Sequence, residues 1–338
     1  MASKERVLPP FPNGWYVVEI SKKLKKGQIH TKKFMGQDVV VFRTQSGEAC
    51  IMDAYCPHMG AHFGFGGDVQ GECIRCPFHS FEFDTKGNCT KTGYGTKPPS
   101  KAKANIFPIN EINGVILAYY DSEGKPPHWQ VPQIDLEGWM PFEWVEWELR
   151  SHPQETSENS VDVGHFSEIH GYNKVSILEE PFAEGPYLSA KYGMERHSFL
   201  GKHFKPIQIE FTPHVHGLGF SFVEAKTSPY GLETRHFVLP TPTDGDRIIL
   251  RIASSLKKIT QPGRINPLLN LVPKSLLSYI ISKQVIREYK NDVYQDFKIW
   301  ENKKYIIRTP LAPGDGPIGF YRLWARQFYN EPTADVLS

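Results

Sequence analysis

Cys56-Pro-His58 and Cys76-Pro-Phe-His79 place two thiols and two imidazoles within the first hundred residues, as C-x-H and C-x-x-H halves separated by seventeen residues. Each half supplies one sulfur and one nitrogen. That is the donor set of a 2Fe-2S cluster in which two thiolates hold one iron and two imidazoles the other. Zinc also accepts two Cys and two His. Three features favour the cluster. The halves are symmetric, and each Cys is followed at once by Pro, which stiffens a ligand loop. The intervening MGAHFGFGGDVQGECIR is too Gly-rich for the helix of a zinc finger.

Ala54-Tyr-Cys-Pro-His-Met-Gly-Ala-His62 and Cys73-Ile-Arg-Cys-Pro-Phe-His79 resemble the cluster loops of Rieske non-heme iron oxygenases. Phe11-Pro-Asn-Gly-Trp-Tyr16, Gly64-Phe-Gly-Gly67, Gly314-Asp-Gly-Pro-Ile-Gly319 and Gln327-Phe-Tyr329 narrow the resemblance to one subgroup. It holds the Neverland-type cholesterol 7-desaturases and the oxygenase component of 3-ketosteroid 9α-hydroxylase. One departure stands out: members usually carry Gly-Trp after the second cluster His, and here the pair is Ser80-Phe81. A Ser80 hydroxyl near the cluster would tune its potential; a neutral loop residue is the equal alternative.

The resemblance implies a second iron with open positions for dioxygen, which two His and one carboxylate provide. Asp162-Val-Gly-His165-Phe-Ser-Glu-Ile-His170 matches the family's iron pattern, with both His as ligands. Positions five apart diverge by about 140° on a regular helix, so the helix is expected to be distorted there, eased by Gly164. The carboxylate is expected from Asp296, which fits Asp-x-x-Ile-Trp, with Asp292 one turn behind it and not matching. Glu168 is read as surface. In the family the residue matching Asp162 links a ligand His to a cluster His of a neighbouring subunit; a helix-start Asp serving the dipole is the plain alternative.

These ligands need two kinds of scaffold. At 338 residues the chain suits two domains of ordinary size. Residues 14 to 120 read as short strands with Gly-rich turns, Asp38–Arg43 and Gly114–Tyr119 among them, and a Pro-rich exit follows. The second half mixes strands, at Ile207–Phe211, His214–Glu224, Arg235–Leu239 and Arg247–Ile252, with a stretch from Lys274 to Arg308 free of Gly and Pro that reads as one long helix or two. The expected fold is α+β: an all-β Rieske domain over 1–135, and over 136–338 a catalytic domain with a helix-flanked antiparallel sheet.

A formal net charge of +2 offers nothing to nucleic acid. Five Cys, two of them in the cluster motif, leave an odd number and argue against a disulfide framework. Spare thiols beside a cluster suit a reducing compartment. The N-terminus shows no apolar signal core and no window is long and apolar enough to span a bilayer, so a cytoplasmic protein is expected. The Neverland proteins usually carry an N-terminal membrane segment.

By resemblance, NAD(P)H feeds a flavin reductase or ferredoxin, which reduces the cluster. The electron reaches the second iron through Asp162, and O2 is used to oxidise an unactivated C–H of a sterol or steroid. C7,8 desaturation is placed ahead of 9α-hydroxylation, with another lipid or specialised metabolite as a further substrate class. A head-to-tail homotrimer would join the two sites of neighbouring chains. A Rieske electron carrier is the non-enzyme alternative; length and the second iron motif count against it. Candidate slot walls are Tyr172, Phe211, Phe220, Phe222, Phe237 and Trp300. His214 and His216 share a strand face and suggest a pocket edge or third metal site. Lys86, Lys91, Lys97, Lys101 and Lys103 lie near the second cluster loop, where they would steer an acidic redox partner. Leu276–Ile281 with Lys274, Lys283 and Arg287 is a short basic amphipathic stretch, read first as core packing with solvated charges and second as a peripheral membrane contact.

Overall fold

The computed structural model describes residues 8–196 and 206–330. The first seven residues, part of the N-terminal stretch read above, lie outside them. The chain forms two compact units, one of residues 10–133 with 241–246 and the other of the rest.

The first unit is all β: β1 (Gly14–Ile20), β2 (Ile29–Phe34), β3 (Gln37–Arg43), β4 (Ala49–Asp53), β5 (Asp68–Gln70), β6 (Cys73–Arg75), β7 (Glu82–Phe83), β8 (Cys89–Lys91), β9 (Ile109–Ile112) and β10 (Val115–Tyr120). They form three antiparallel sheets, ordered β1-β10-β9, β2-β3-β4 and β5-β6-β7-β8. Asn113-Gly114, both with positive φ, closes the β9–β10 hairpin, as a two-residue turn of the primed type requires. Successive residues of β3 point to opposite sides, so Val39 and Val41 enter one core cluster and Val40 and Phe42 the other. The second cluster includes Cys56 and Cys76. The β-branched run is thus buried on both faces and backs the metal loops.

The second unit is built on a seven-stranded antiparallel sheet with order β11-β17-β16-β15-β14-β13-β12. Its strands are β11 (Glu143–Leu149), β12 (Asn173–Glu184), β13 (Tyr187–Arg196), β14 (Ile207–His216), β15 (Phe220–Ser228), β16 (Leu232–Pro242) and β17 (Ile248–Leu256). The helices are α1 (Pro153–Glu158), α2 (Val163–Glu168), α3 (Lys274–Trp300) and α4 (Ile318–Ala325). Val293, Phe297 and Trp300 of α3 pack on Leu149, Leu250 and Ile252, and burial of such side chains contributes about 1.5–3 kcal/mol each.

The α+β expectation holds, and the Gly- and Pro-free stretch is one helix that stops at Trp300. His214–Glu224 differs from the single strand expected. Residues 217–219 turn between β14 and β15, and Gly217 has φ of +65°, which left-handed backbone permits for glycine. No helix among the described residues is long and apolar enough to cross a membrane.

Candidate metal centres

Both cysteine loops use one backbone frame. In the first, Cys56 N–H donates to Ala61 O at 2.8 Å and Gly60 N–H donates to Cys56 O at 2.8 Å. In the second, Cys76 N–H donates to Phe81 O at 2.8 Å and Ser80 N–H donates to Cys76 O at 3.2 Å. The residue four after each Cys is left-handed: Gly60 has φ of +75° and Ser80 of +54°. The Ser80 position therefore suits glycine, and a side chain there costs about 1 kcal/mol. Phe81 is buried and stacks on His58, with centroids 4.1 Å apart and planes within 6°.

The frame brings the four predicted ligands together. The His58 and His79 rings lie 4.9 Å apart, and both thiols are buried. Burial pushes the Cys56 thiol up to about 12; the His58 backbone N–H eases it and the Cys76 thiol adds to it. Nδ1 of His79 is buried with no hydrogen-bond partner. Such a nitrogen costs about 1–3 kcal/mol if left idle, and a metal ligand is not idle. Two converging thiols beside an unsatisfied imidazole nitrogen fit a Rieske cluster. Gly93 N–H donates to His79 O at 3.1 Å, and a Cβ at Gly93 would stand 2.3 Å from that oxygen. Only glycine lets this turn close on the second loop.

In the second unit, His165, His170 and Asp296 place one ligand atom each within 4.8 Å of one another, the only such group among the described residues. His170 Nε2 is 3.6 Å from Asp296 Oδ2. The distortion expected between the two His takes the form of a helix end. α2 stops at Glu168, His170 N–H reaches back to His165 O at 3.4 Å, and Gly171 turns the chain with φ of +67°. Gly164 sits in the first turn instead, where a Cβ would stand 3.3 Å from Gly314 O. The Gly-Asp-Gly motif clamps this segment: Val163 N–H donates to Asp315 O at 3.0 Å, and a Cβ on Gly316 would stand 2.4 Å from Val161 O.

Hydrogen bonds settle the imidazole orientations. His165 Nδ1 bonds Asp162 O, and His170 Nδ1 lies 2.9 Å from Gln295 Oε1. With Nδ1–H donating in both rings, Nε2 carries the free lone pair. Burial, then the neighbouring His170, lowers His165 to about 4. Burial raises Asp296 to about 6; His170 and a hydrogen bond from Asn159 pull it back, while Asp162 and Asp292 push it up. Two imidazoles and a buried carboxylate fit a divalent iron with open positions.

Asp162 caps α2, accepting from His165 N–H at 3.2 Å, with Oδ1 3.9 Å from His165 Nδ1. Asp292 turns away to Arg196, with contacts of 3.0 and 3.2 Å, and accepts from Tyr172 Oη at 3.2 Å. Glu168 is exposed. Sequence reasoning passed over Gln295, Asn159 and Arg196. A Gln directly before the carboxylate is the one signal that was available.

The aromatic candidates divide. Phe211 pairs with Tyr192 and Ala225 and packs with Phe166 and Tyr172 on the α2 side of the sheet. Phe222 pairs with His214 and Phe237, one step out of phase, so these residues point to the opposite face with Phe220. Phe220, Phe222 and Phe237 cannot line a slot beside His165. Trp300 is core under β17. His214 and His216 stack on Phe222, His214 Nδ1 meets Tyr187 Oη at 2.8 Å and its Nε2 lies 3.9 Å from Glu224 Oε2, and among the described residues they do not converge as metal ligands. Lys91 pairs with Glu82 at 3.0 Å, whereas Lys86, Lys97, Lys101 and Lys103 are exposed.

Residues 14–106 match the Rieske 2Fe-2S domain, and residues 118–329 match the 3-ketosteroid 9α-hydroxylase C-terminal domain. Cholesterol 7-desaturase nvd 1 of Ciona intestinalis is 31% identical, over 96% of this chain and 70% of its own. The oxygenase component of a 3-ketosteroid-9-alpha-monooxygenase from Rhodococcus rhodochrous is 27% identical, over 94% and 81%. In fold, the chain is similar to dicamba monooxygenase bound to dicamba, with a TM-score of 0.67 at 14% identity over 94% of this chain and 97% of that one. The two candidate centres lie in regions that match these two domains, which imply a Rieske cluster and a mononuclear iron, and the chain belongs to the Rieske oxygenases of the 3-ketosteroid 9α-hydroxylase family.

Proposed function

We propose that this protein is the oxygenase component of a multi-component system that oxidises a sterol or steroid, with C7,8 desaturation of a cholesterol-like sterol as its reaction. The observation that carries an oxidative reading over electron carriage is the His165–His170–Asp296 group, which a carrier does not need. The substrate class rests on relatives named cholesterol 7-desaturase and 3-ketosteroid-9-alpha-monooxygenase.

In this reading residues 1–135 hold the cluster through Cys56, His58, Cys76 and His79, and residues 136–338 hold iron through His165, His170 and Asp296. When bound, the cluster supplies electrons and the iron activates dioxygen. The chain's own part is orientation. Asp162 O and Gln295 fix the two imidazoles, and Phe166, Tyr192 and Phe211 keep the neighbouring wall apolar, as a fused-ring substrate requires. Asp162 carries the contact to a cluster imidazole of a neighbouring chain in a homotrimer. The partners are a ferredoxin or flavin reductase drawing on NAD(P)H, met by exposed Lys97, Lys101 and Lys103. Five unpaired thiols support a cytoplasmic setting.

The test is reconstitution with a ferredoxin–reductase pair, NAD(P)H and oxygen, offering cholesterol and androstenedione separately. A cholesterol product two hydrogens lighter with diene absorption establishes desaturation. A ketosteroid with one added oxygen establishes the 9α-hydroxylase alternative, which the Rhodococcus relative favours. Turnover of neither, with both metals bound, rejects the sterol reading.

A further inference from the structure

The start of α3 and the turn before it carry a row of exposed apolar side chains. Leu268 and Leu271, on the 3-10 turn Pro267–Leu271, are 73% and 86% exposed. Leu276, Tyr279 and Ile280 are about half exposed on the first turns of α3. Positions 276, 279, 280, 283 and 287 fall within an arc of about 100° on a regular helix, so Lys283 and Arg287 continue the same stripe. The inward face is the ordinary one: Leu277, Ile281 and Val285 pack with Leu256 and Ile259. Five large apolar side chains lie outward where the same helix has already satisfied its core.

The stretch of sequence that bears them is basic, although Arg247, Arg251, Lys257 and Lys283 are each bridged to a Glu: Glu148, Glu146, Glu233 and Glu143. Between Asp246 and Glu288 the sequence has no acidic residue, yet it has Arg247, Arg251, Lys257, Lys258, Arg264, Lys274, Lys283 and Arg287, in a chain whose totals are nearly balanced at 39 basic and 37 acidic. Lys258, Arg264, Lys274 and Arg287 are exposed and have no ion-pair partner among the described residues.

We propose that this face docks on an anionic lipid surface, with Leu268, Leu271, Leu276, Tyr279 and Ile280 entering the headgroup boundary and Lys274 and Arg287 meeting lipid phosphates. Separated apolar tips, an amphipathic Tyr and basic residues beside them are the pattern of an interfacial helix. A protein partner fits less well, because interface cores are depleted of lysine. The inference does not depend on which substrate the enzyme takes.

The test is flotation of the full-length, metal-loaded protein with phosphatidylcholine vesicles containing about one-third phosphatidylserine, against phosphatidylcholine alone. Binding to the anionic vesicles that weakens as salt rises is expected. Leu268→Ser with Leu271→Ser should weaken it at least about tenfold, and Lys274→Gln with Arg287→Gln about thirtyfold at low salt. Unchanged visible spectra and iron contents show that the variants are folded. Absence of flotation at low salt overturns the proposal, as does equal flotation of all variants. Loss of self-association in the leucine variants without any vesicle effect would assign the face to a second copy of the chain.

Discussion

His170 Nδ1 lies 2.9 Å from Gln295 Oε1 while its Nε2 faces Asp296 Oδ2 at 3.6 Å, so adjacent residues of α3 address the two nitrogens of one imidazole. Gln295 acts here as a positioning residue. Gln295→Leu should weaken retained iron(II) by about 10–100-fold, read by dialysis against a graded chelator. Gln295→Glu keeps an acceptor and should restore retention. If Gln295→Leu binds iron as tightly as the parent, the orientation argument fails.

The left-handed position of Ser80 predicts a gain. Ser80→Gly should raise stability by about 1 kcal/mol, seen as a higher denaturant midpoint at unchanged slope, with the cluster's visible spectrum preserved. Gly60→Ser, at the matching place in the first loop, should cost a similar amount.

Glu19 carries a pH dependence. Its Oε2 lies 2.8 Å from both Lys32 Nζ and His30 Nδ1 in a buried setting. Burial by itself pushes the carboxyl up, but the bonds from Lys32, His30 and the Ile20 N–H outweigh it and hold the group at about 2 against an ordinary 4.5. A depressed folded value means stability that is complete above pH 4.5 and lost as pH falls toward 2. Glu19→Gln should therefore be about 2–3 kcal/mol less stable near neutrality, and urea midpoints should show that gap closing as pH drops below 4.5.

The pair Arg196–Asp292 joins the end of β13 to α3. A double-mutant cycle with Arg196→Met and Asp292→Asn should give a coupling of about 1–3 kcal/mol. Additive effects would mean that the contact contributes nothing.

How far the sequence could be read depends on the distance over which each feature is written. The proposed cluster ligands lie within two short loops, and their spacing carries the chemistry directly. His165 and His170 share one segment, but that a helix stops between them depends on Gly171 and on the clamp from Asp315, far along the chain. Asp296 needed the family pattern. Gln295 had no mark of its own, since a Gln on a charged helix is ordinary until its partner is seen. Phe220, Phe222 and Phe237 failed for a different reason: strand alternation says that Phe211 and Phe222 face opposite ways, but not which face lies beside His165 and His170. The turn at residues 217–219 was passed over although two glycines announce it.

The clamp of Asp315 and Gly316 on the segment bearing His165 also bears on how the protein is made. Both cluster loops leave the ribosome within one short burst of translation. The proposed iron site draws on His165, then Asp296, and lastly the Gly-Asp-Gly turn at 314–316 that seats α2. The unit that carries the cluster loops also includes residues 241–246, so a nascent chain folding from its N-terminus completes that unit only after the segment bearing His165 and His170 has been made, and completes the clamp on α2 later still. A chain stopped before residue 316 would keep both cysteine loops and lack the turn that seats α2.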